Sequence, residues 1–218
     1  MVIFQAVSAV SIAARRDRIG PHRPNTRIPL SKATRMTRIT LISLLHRLSP
    51  QFPIYPVAQL LPQLSEHKGE VWLPPLSTPD VAALRAKVAP QAQREFASLA
   101  TGWCDFAASD SGDTPELDAL ASYDEEMLDN LRLYWGSAAK INHPITDNLF
   151  ELRRGVVDEA HGTKLADAWE RQQELRFTQL MSAAQGQDLL CFVEVEAAYW
   201  LRQRLSEQVE IELHIPAL

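Results

Sequence analysis

Between Val81 and Phe106 the apolar residues Val81, Leu84, Val88, Ala92, Phe96, Leu99, Trp103 and Phe106 follow one another at intervals of three and four. That spacing lines one face of an α-helix, whereas a half-buried strand alternates residue by residue. Pro90 interrupts the run. Because proline removes a backbone hydrogen bond and crowds the preceding turn, a kink or a second helix is expected there. The same period returns in Leu128, Leu131, Trp135 and Ala138, with Met127 and Tyr134 beside them, and predicts a helix from Pro115 to Ile141. After a break at "NHP" it returns in Leu149, Leu152, Val156 and Ala160. Past Gly162 the chain reads "TKLADAWERQQELRFTQLMSAAQ", rich in strong helix formers. In "QDLLCFVEVEAAYWLRQRLSEQ" the residues Leu190, Val193, Ala197 and Leu201 then share a face. Taken alone "LLCFVEVE" also reads as a strand, but the length of the segment favours a helix.

Two helix starts are spelled out almost identically. "STPDVAAL" (77–84) and "DTPELDAL" (113–120) each place Thr, Pro and an acid in succession. The Thr oxygen is suited to accept a free backbone N–H, Pro has no N–H to leave unpaired, and the carboxylate faces the positive helix end. The octets do not mark a repeat, since the residues after them diverge and no third copy stands near position 150.

At the front of this region "TRITLISLLHRLSP", after Met36, reads as an amphipathic helix, and the stretch through "EVWL" as helix, turn, helix and extended segment. That order matches a winged helix in outline only. "PVAQLLPQLSEHKG" offers two Gln and one Lys with Pro62 in the middle, poor material for reading a DNA groove. At the other end Val209, Ile211, Leu213 and Ile215 alternate strictly with Glu210, Glu212 and His214, as in a strand with one wet face. Its expected partner is "EVWL" (70–73) or another chain, because a lone strand is not stable. The fold expected is therefore mainly α: a bundle of five to seven helices with a small two-stranded β patch near the C-terminus.

Residues 1–35 look unlike the rest. An apolar start, "VIFQAVSAVSIAA", precedes "RRDRIGPHRPNTRIPLSKATR", whose charges follow the apolar run instead of leading it as in a secretory signal. The composition is closer to a transit peptide, and a disordered or non-native extension before Met36 is the simpler account. Residues 36–218 are read as one helical domain. Charge divides along nearly the same line: residues 1–38 hold eight Arg and Lys against Asp17, while the remainder holds fourteen basic and twenty-six acidic residues. An acidic body disfavours broad contact with phosphate backbones, so nucleic acid is not an expected partner.

"GVVDEAHGT" (155–163) contains Asp158-Glu159-Ala160-His161, four letters that in a helicase hold magnesium at the end of a buried strand. Here they fall on a helical stretch. No GxxxxGK[ST] exists, and "HGTK" (161–164) has its letters in the wrong order, so an NTP-driven motor is excluded. Asp158 and His161 are spaced to share one helix face and are the weak metal candidates, but a carboxylate-bridged metal pair requires a second such motif and none is present. "DFAASDSGDTPE" (105–116) fails as a calcium loop, with Ala107 and Asp110 where a ligand and the turn glycine belong. No GxSxG is present, and Cys104 falls within the apolar stripe. Trp103, Trp135 and Trp200 read as core; Trp72, beside prolines, and Trp169, among charges, are the interface candidates.

The function these features favour is that of a soluble accessory or protein-interaction protein without its own catalysis or cofactor, partnered by another protein or by itself. With two distant cysteines and no membrane-spanning run, a cytoplasmic location fits. The alternatives are an enzyme with a buried helical, metal-dependent pocket around Asp158 and His161, and a DNA-binding regulator built on the helix-turn-helix-like segment.

Overall fold

A computed structural model describes residues 36–45, 55–98, 114–134 and 136–218. They form an α/β fold, not the mainly α bundle expected from periodicity: seven α-helices accompany a five-stranded, all-parallel sheet. In chain order the elements are β1 (Thr37–Leu44), α1 (Leu61–Glu66), β2 (Glu70–Leu73), α2 (Pro79–Arg85), β3 (Gln93–Glu95) and α3 (Pro115–Tyr134). Then come α4 (Ala138–Ile141), α5 (Pro144–His161), α6 (Thr163–Ala183), β4 (Leu189–Glu194), α7 (Val195–Ser206) and β5 (Ile211–His214).

The strand order is β3-β2-β4-β1-β5. Register is set by Ile39 opposite Leu189 and Leu44 opposite Glu194 in β1–β4, Thr37 opposite Ile211 in β1–β5, Glu70 opposite Leu189 in β2–β4, and Val71 opposite Gln93 in β2–β3. From β1 to β2 and from β2 to β3 the chain moves one way across the sheet; from β3 to β4 and from β4 to β5 it moves back. Right-handed crossovers therefore send the two sets of connections to opposite faces. Packing agrees. Ile42, Leu44, Val71, Leu73, Leu190 and Phe192 lie in one core with Leu60 and with Val81 and Leu84 of α2. Ile39, Leu41, Leu189, Cys191 and Val193 lie in the other, with Leu180 of α6 and Ala197, Leu201 and Leu205 of α7.

Several local expectations are corrected. The segment after Met36 is β1, so the helix-turn-helix outline becomes strand, helix, strand. Its residues from Ile39 to Leu44 are all buried, because a central parallel strand is covered on both faces and loses the alternation that would reveal it. β4 is buried at every position for the same reason. Leu190 and Val193 belong to that strand and Ala197 and Leu201 to α7, so their apparent common face bridges two elements. The terminal strand pairs with β1, and "EVWL" pairs with β3 and β4, so no isolated two-stranded patch forms. The stripe from Val81 ends as a helix at Arg85, and Pro90 opens a 3-10 turn leading into β3.

Both Thr-Pro-acid signals begin helices. Leu117 N–H approaches Thr114 Oγ1 at 3.4 Å, whereas the Thr78 side chain makes no cap bond and only its carbonyl accepts, from Ala82. Residues 1–35, Leu99, Trp103, Cys104, Phe106, Trp135 and most of the loop tested for calcium fall outside the described residues.

Candidate site at the carboxyl edge of the sheet

In an open parallel sheet, ligands bind beyond the carboxyl ends of strands where neighbouring connections part to opposite faces. β4 lies at such a point. Its neighbours β1 and β2 hand the chain to one face, while β4 hands it to α7 on the other. The last residue of β4 is Glu194, also the N-cap of α7, whose carboxylate makes no cap bond. It is gripped instead by Arg176 of α6, with Nη1 to Oε2 at 2.7 Å and Nη2 to Oε1 at 2.9 Å. Arg176 is fully buried and its guanidinium stands 5.6 Å from the Phe96 ring.

The α6 positions Ala168, Gln172, Arg176 and Leu180 are all buried and recur every fourth residue. Leu180 packs in the apolar core, and the stripe turns polar toward the helix N-terminus as it passes the carboxyl edge. Gln172 donates to the carbonyl of Ala97, just past β3, at 2.6 Å, and Gln179 accepts from the N–H of Ala97 at 3.1 Å. Gln173 lies one turn from Arg176, about 4.5 Å along the axis. Because α6 ends beside the start of β4, that turn lies beyond the strand ends. Gln173 is 0% exposed, and among the described residues neither amide atom has a hydrogen-bond partner.

A second buried polar cluster closes the end of β1. Asn142, at the C-cap of α4, accepts from the N–H of Ser43 at 2.6 Å and donates to its carbonyl at 3.2 Å. Arg202 of α7 donates to Ser43 Oγ at 2.7 Å, to Asn142 Oδ1 at 2.9 Å and to both oxygens of Asp147 at 2.5 Å. Burial pushes the Asp147 carboxyl up against the pull of Arg202. The Tyr55 hydroxyl donates to the Ser43 carbonyl at 3.2 Å, and burial holds its phenol protonated well above the ordinary range. These groups are mutually bonded and tie α4, α5 and α7 to β1, which is a structural role.

The residues singled out from sequence lie elsewhere. Asp158 is ion-paired with Arg154 one turn earlier on α5, and His161 is the exposed last residue of that helix. Among the described residues no three His, Cys, Asp or Glu side chains are grouped to hold a metal. Trp72 is buried in β2 with its ring 5.2 Å from that of Phe96. Trp169 is partly exposed on α6, stacked on Tyr199 at 6.0 Å and edge-on to Trp200 at 6.4 Å, with Arg154 5.3 Å from its ring centre. Cys191 is fully buried in β4, and burial pushes its thiol far up, so it is not a nucleophile. Gln172, Gln173 and Arg176 went unnoticed in sequence, although Gln172 and Arg176 stand at the fourfold spacing of a buried stripe.

Among the described residues no helix is long and apolar enough to cross a membrane. Compared with protein-family models, with curated proteins and with solved structures, the chain finds no match.

Proposed function

We propose that this protein binds a small polar molecule at the carboxyl end of β4, with Gln173 as the recognising side chain and the Arg176–Glu194 pair fixing the site. The observation that carries this reading is the fully buried Gln173 amide, which has no hydrogen-bond partner among the described residues. A carboxamide presents two donors and an acceptor, and burying such a group unpaired costs about 1–3 kcal/mol. A molecule offering the complementary pattern, such as a primary amide or a nucleobase edge, offsets that cost. The position at a topological switch point supports the same reading.

The test is a titration of the isotope-labelled protein with primary amides, nucleobases and nucleosides, followed through the side-chain NH2 signals. The Gln173 signal is assigned by its absence in Gln173→Leu. The expected result is that one of these classes shifts that signal and fails to bind the variant. If none does, and Gln173→Leu only raises stability, the amide is solvated by a buried water and the reading is wrong.

A second reading, as a cytoplasmic accessory protein that docks another protein, is supported by a different observation. Leu133 on α3 and Ile145 and Leu152 on α5 are 71%, 55% and 62% exposed. Large apolar side chains on two packed helices suit a protein partner. Capture of partners from the native host by the wild type, but not by Leu152→Glu, is the outcome this reading requires.

A further inference from the structure

The structure offers a self-complementary edge at β5, and we infer that two copies of this chain pair there, antiparallel about a two-fold axis centred on Leu213, to join their sheets. The argument starts from the ladder with β1. Thr37 N–H donates to the Glu210 carbonyl at 3.0 Å, and Thr37 stands opposite Ile211. In a parallel ladder this turns the backbone groups of alternate residues toward the neighbour, so Glu212 spends both its N–H and its C=O on β1. Leu213 therefore points both of its backbone groups outward, and Ile215 follows by the same parity. β5 is the last strand in the order, so among the described residues nothing continues the sheet beyond it.

An antiparallel partner bonds residues whose backbone groups face outward in both strands. With the axis at Leu213, the bonded pairs are Leu213 with Leu213 of the second copy, through both backbone groups, and Ile211 with Ile215 of the second copy, through the Ile211 carbonyl alone, because the Ile211 N–H already donates to the Gln208 carbonyl at 3.2 Å. Pro216 has inward parity, so its missing N–H costs this edge nothing. The intervening, closely spaced pair is Glu212 with His214 of the second copy, formed twice by symmetry. Side chains agree with backbone. Carboxylate meets imidazole, and Ile215, 40% exposed in the single chain, meets the buried Ile211 and extends its apolar row. Glu212 already holds Arg38 through Oε1 at 2.8 Å, so the new pair joins an existing charged row. Native proteins normally blunt such an edge. The opposite edge, β3, is only three residues long and carries Arg94 and Glu95 in ion pairs with Glu70 and Arg85.

The experiment is sedimentation equilibrium of the full chain over a wide dilution series. The wild type is expected to be a dimer that dissociates on dilution. His214→Glu sets two carboxylates opposite each other twice per dimer and is expected to weaken association about tenfold or more. The double exchange E212H/H214E re-creates both pairs in reverse order and is expected to restore the dimer, which a structural role for either residue within one chain does not explain. Ile215→Asp, at an exposed position, is expected to give a folded monomer by circular dichroism. A wild type that stays monomeric at every concentration overturns the inference, as does a dimer that H214E and I215D leave intact.

Discussion

Arg176 and Glu194 form a bidentate ion pair at the carboxyl end of β4, 0% and 3% exposed and eighteen residues apart in the chain. A buried pair of this kind is strongly asymmetric in its energetics. Arg176→Met leaves Glu194 charged and buried and is expected to cost about 3–5 kcal/mol in urea unfolding. Arg176→Met with Glu194→Leu removes both charges and is expected to recover most of that loss. A double variant no better than the single one would mean that the guanidinium matters mainly for its packing over Phe96.

Asn142 bonds both backbone groups of Ser43 near the end of β1, with the Tyr55 hydroxyl as a second donor to the carbonyl. Asn142→Leu keeps the volume but strands the Ser43 N–H, leaves the Ser43 carbonyl with the Tyr55 hydroxyl as its donor, and takes one acceptor from Arg202. Each stranded buried group costs about 1–3 kcal/mol, so a loss of roughly 3 kcal/mol is expected. Hydrogen exchange localises the effect: the amide of Ser43 should lose protection well before those of Ile39 and Leu41.

These two sites show why the chain is only partly legible from its letters. Helices α3, α5 and α6 each have a solvated face and were legible as helices, by period in α3 and α5 and by helix formers in α6. But the helix read from Pro115 to Ile141 breaks into α3 and α4, and α5 buries Thr146, Phe150, Arg153 and Val157 instead of the stripe through Leu152. β5 also betrays itself, because Glu212 and His214 face away from the core while Ile211 faces in. β1 and β4 do not. Covered on both faces, they lose the strict apolar–polar alternation of a half-exposed strand, and their few residues are too short to show a period against the segment that follows. Leu190 and Val193 happened to continue the spacing of Ala197 and Leu201 across the junction at Glu194, which made one helix out of a strand and a helix. Once those strands are lost the sheet is lost, and with it the carboxyl edge that brings Arg176, Gln173 and Glu194 together. Only Gln172 and Arg176, polar letters in a fourfold stripe with Ala168 and Leu180, carried a local hint.

Gly69 opens β2 against the chain that leads into β4. A Cβ built there runs into the backbone carbonyl of Asp188 and stands 2.9 Å from His67 Nε2. The imidazole can move aside, but the carbonyl belongs to the segment that sets the register of Glu70 opposite Leu189. Gly69→Ala is therefore expected to destabilise by about 2 kcal/mol, in the range of other overpacked sites. Gly155, with nothing near an added Cβ, is the internal control: within α5 its replacement by Ala is expected to stabilise by about 0.5–1 kcal/mol.

His67 lies half-buried with Nε2 3.1 Å from the carbonyl of Glu70. Burial lowers its pKa below the usual 6.5, against smaller upward pulls from the Glu70 carbonyl and the Asp188 carboxylate. In the folded protein the ring therefore stays neutral at a pH where the unfolded chain has already taken up a proton. The unfolded state binds more protons in that window, so the sign is fixed: stability falls as the pH drops from 6.5 toward the folded value. Chemical denaturation at pH 7.5, 6.5 and about 5.5 should show the decline in the wild type, and His67→Gln, which keeps a donor for the Glu70 carbonyl but cannot titrate, should flatten it. An equal slope in the variant would assign the acid sensitivity to other groups and would mean that the imidazole is solvated in the fold.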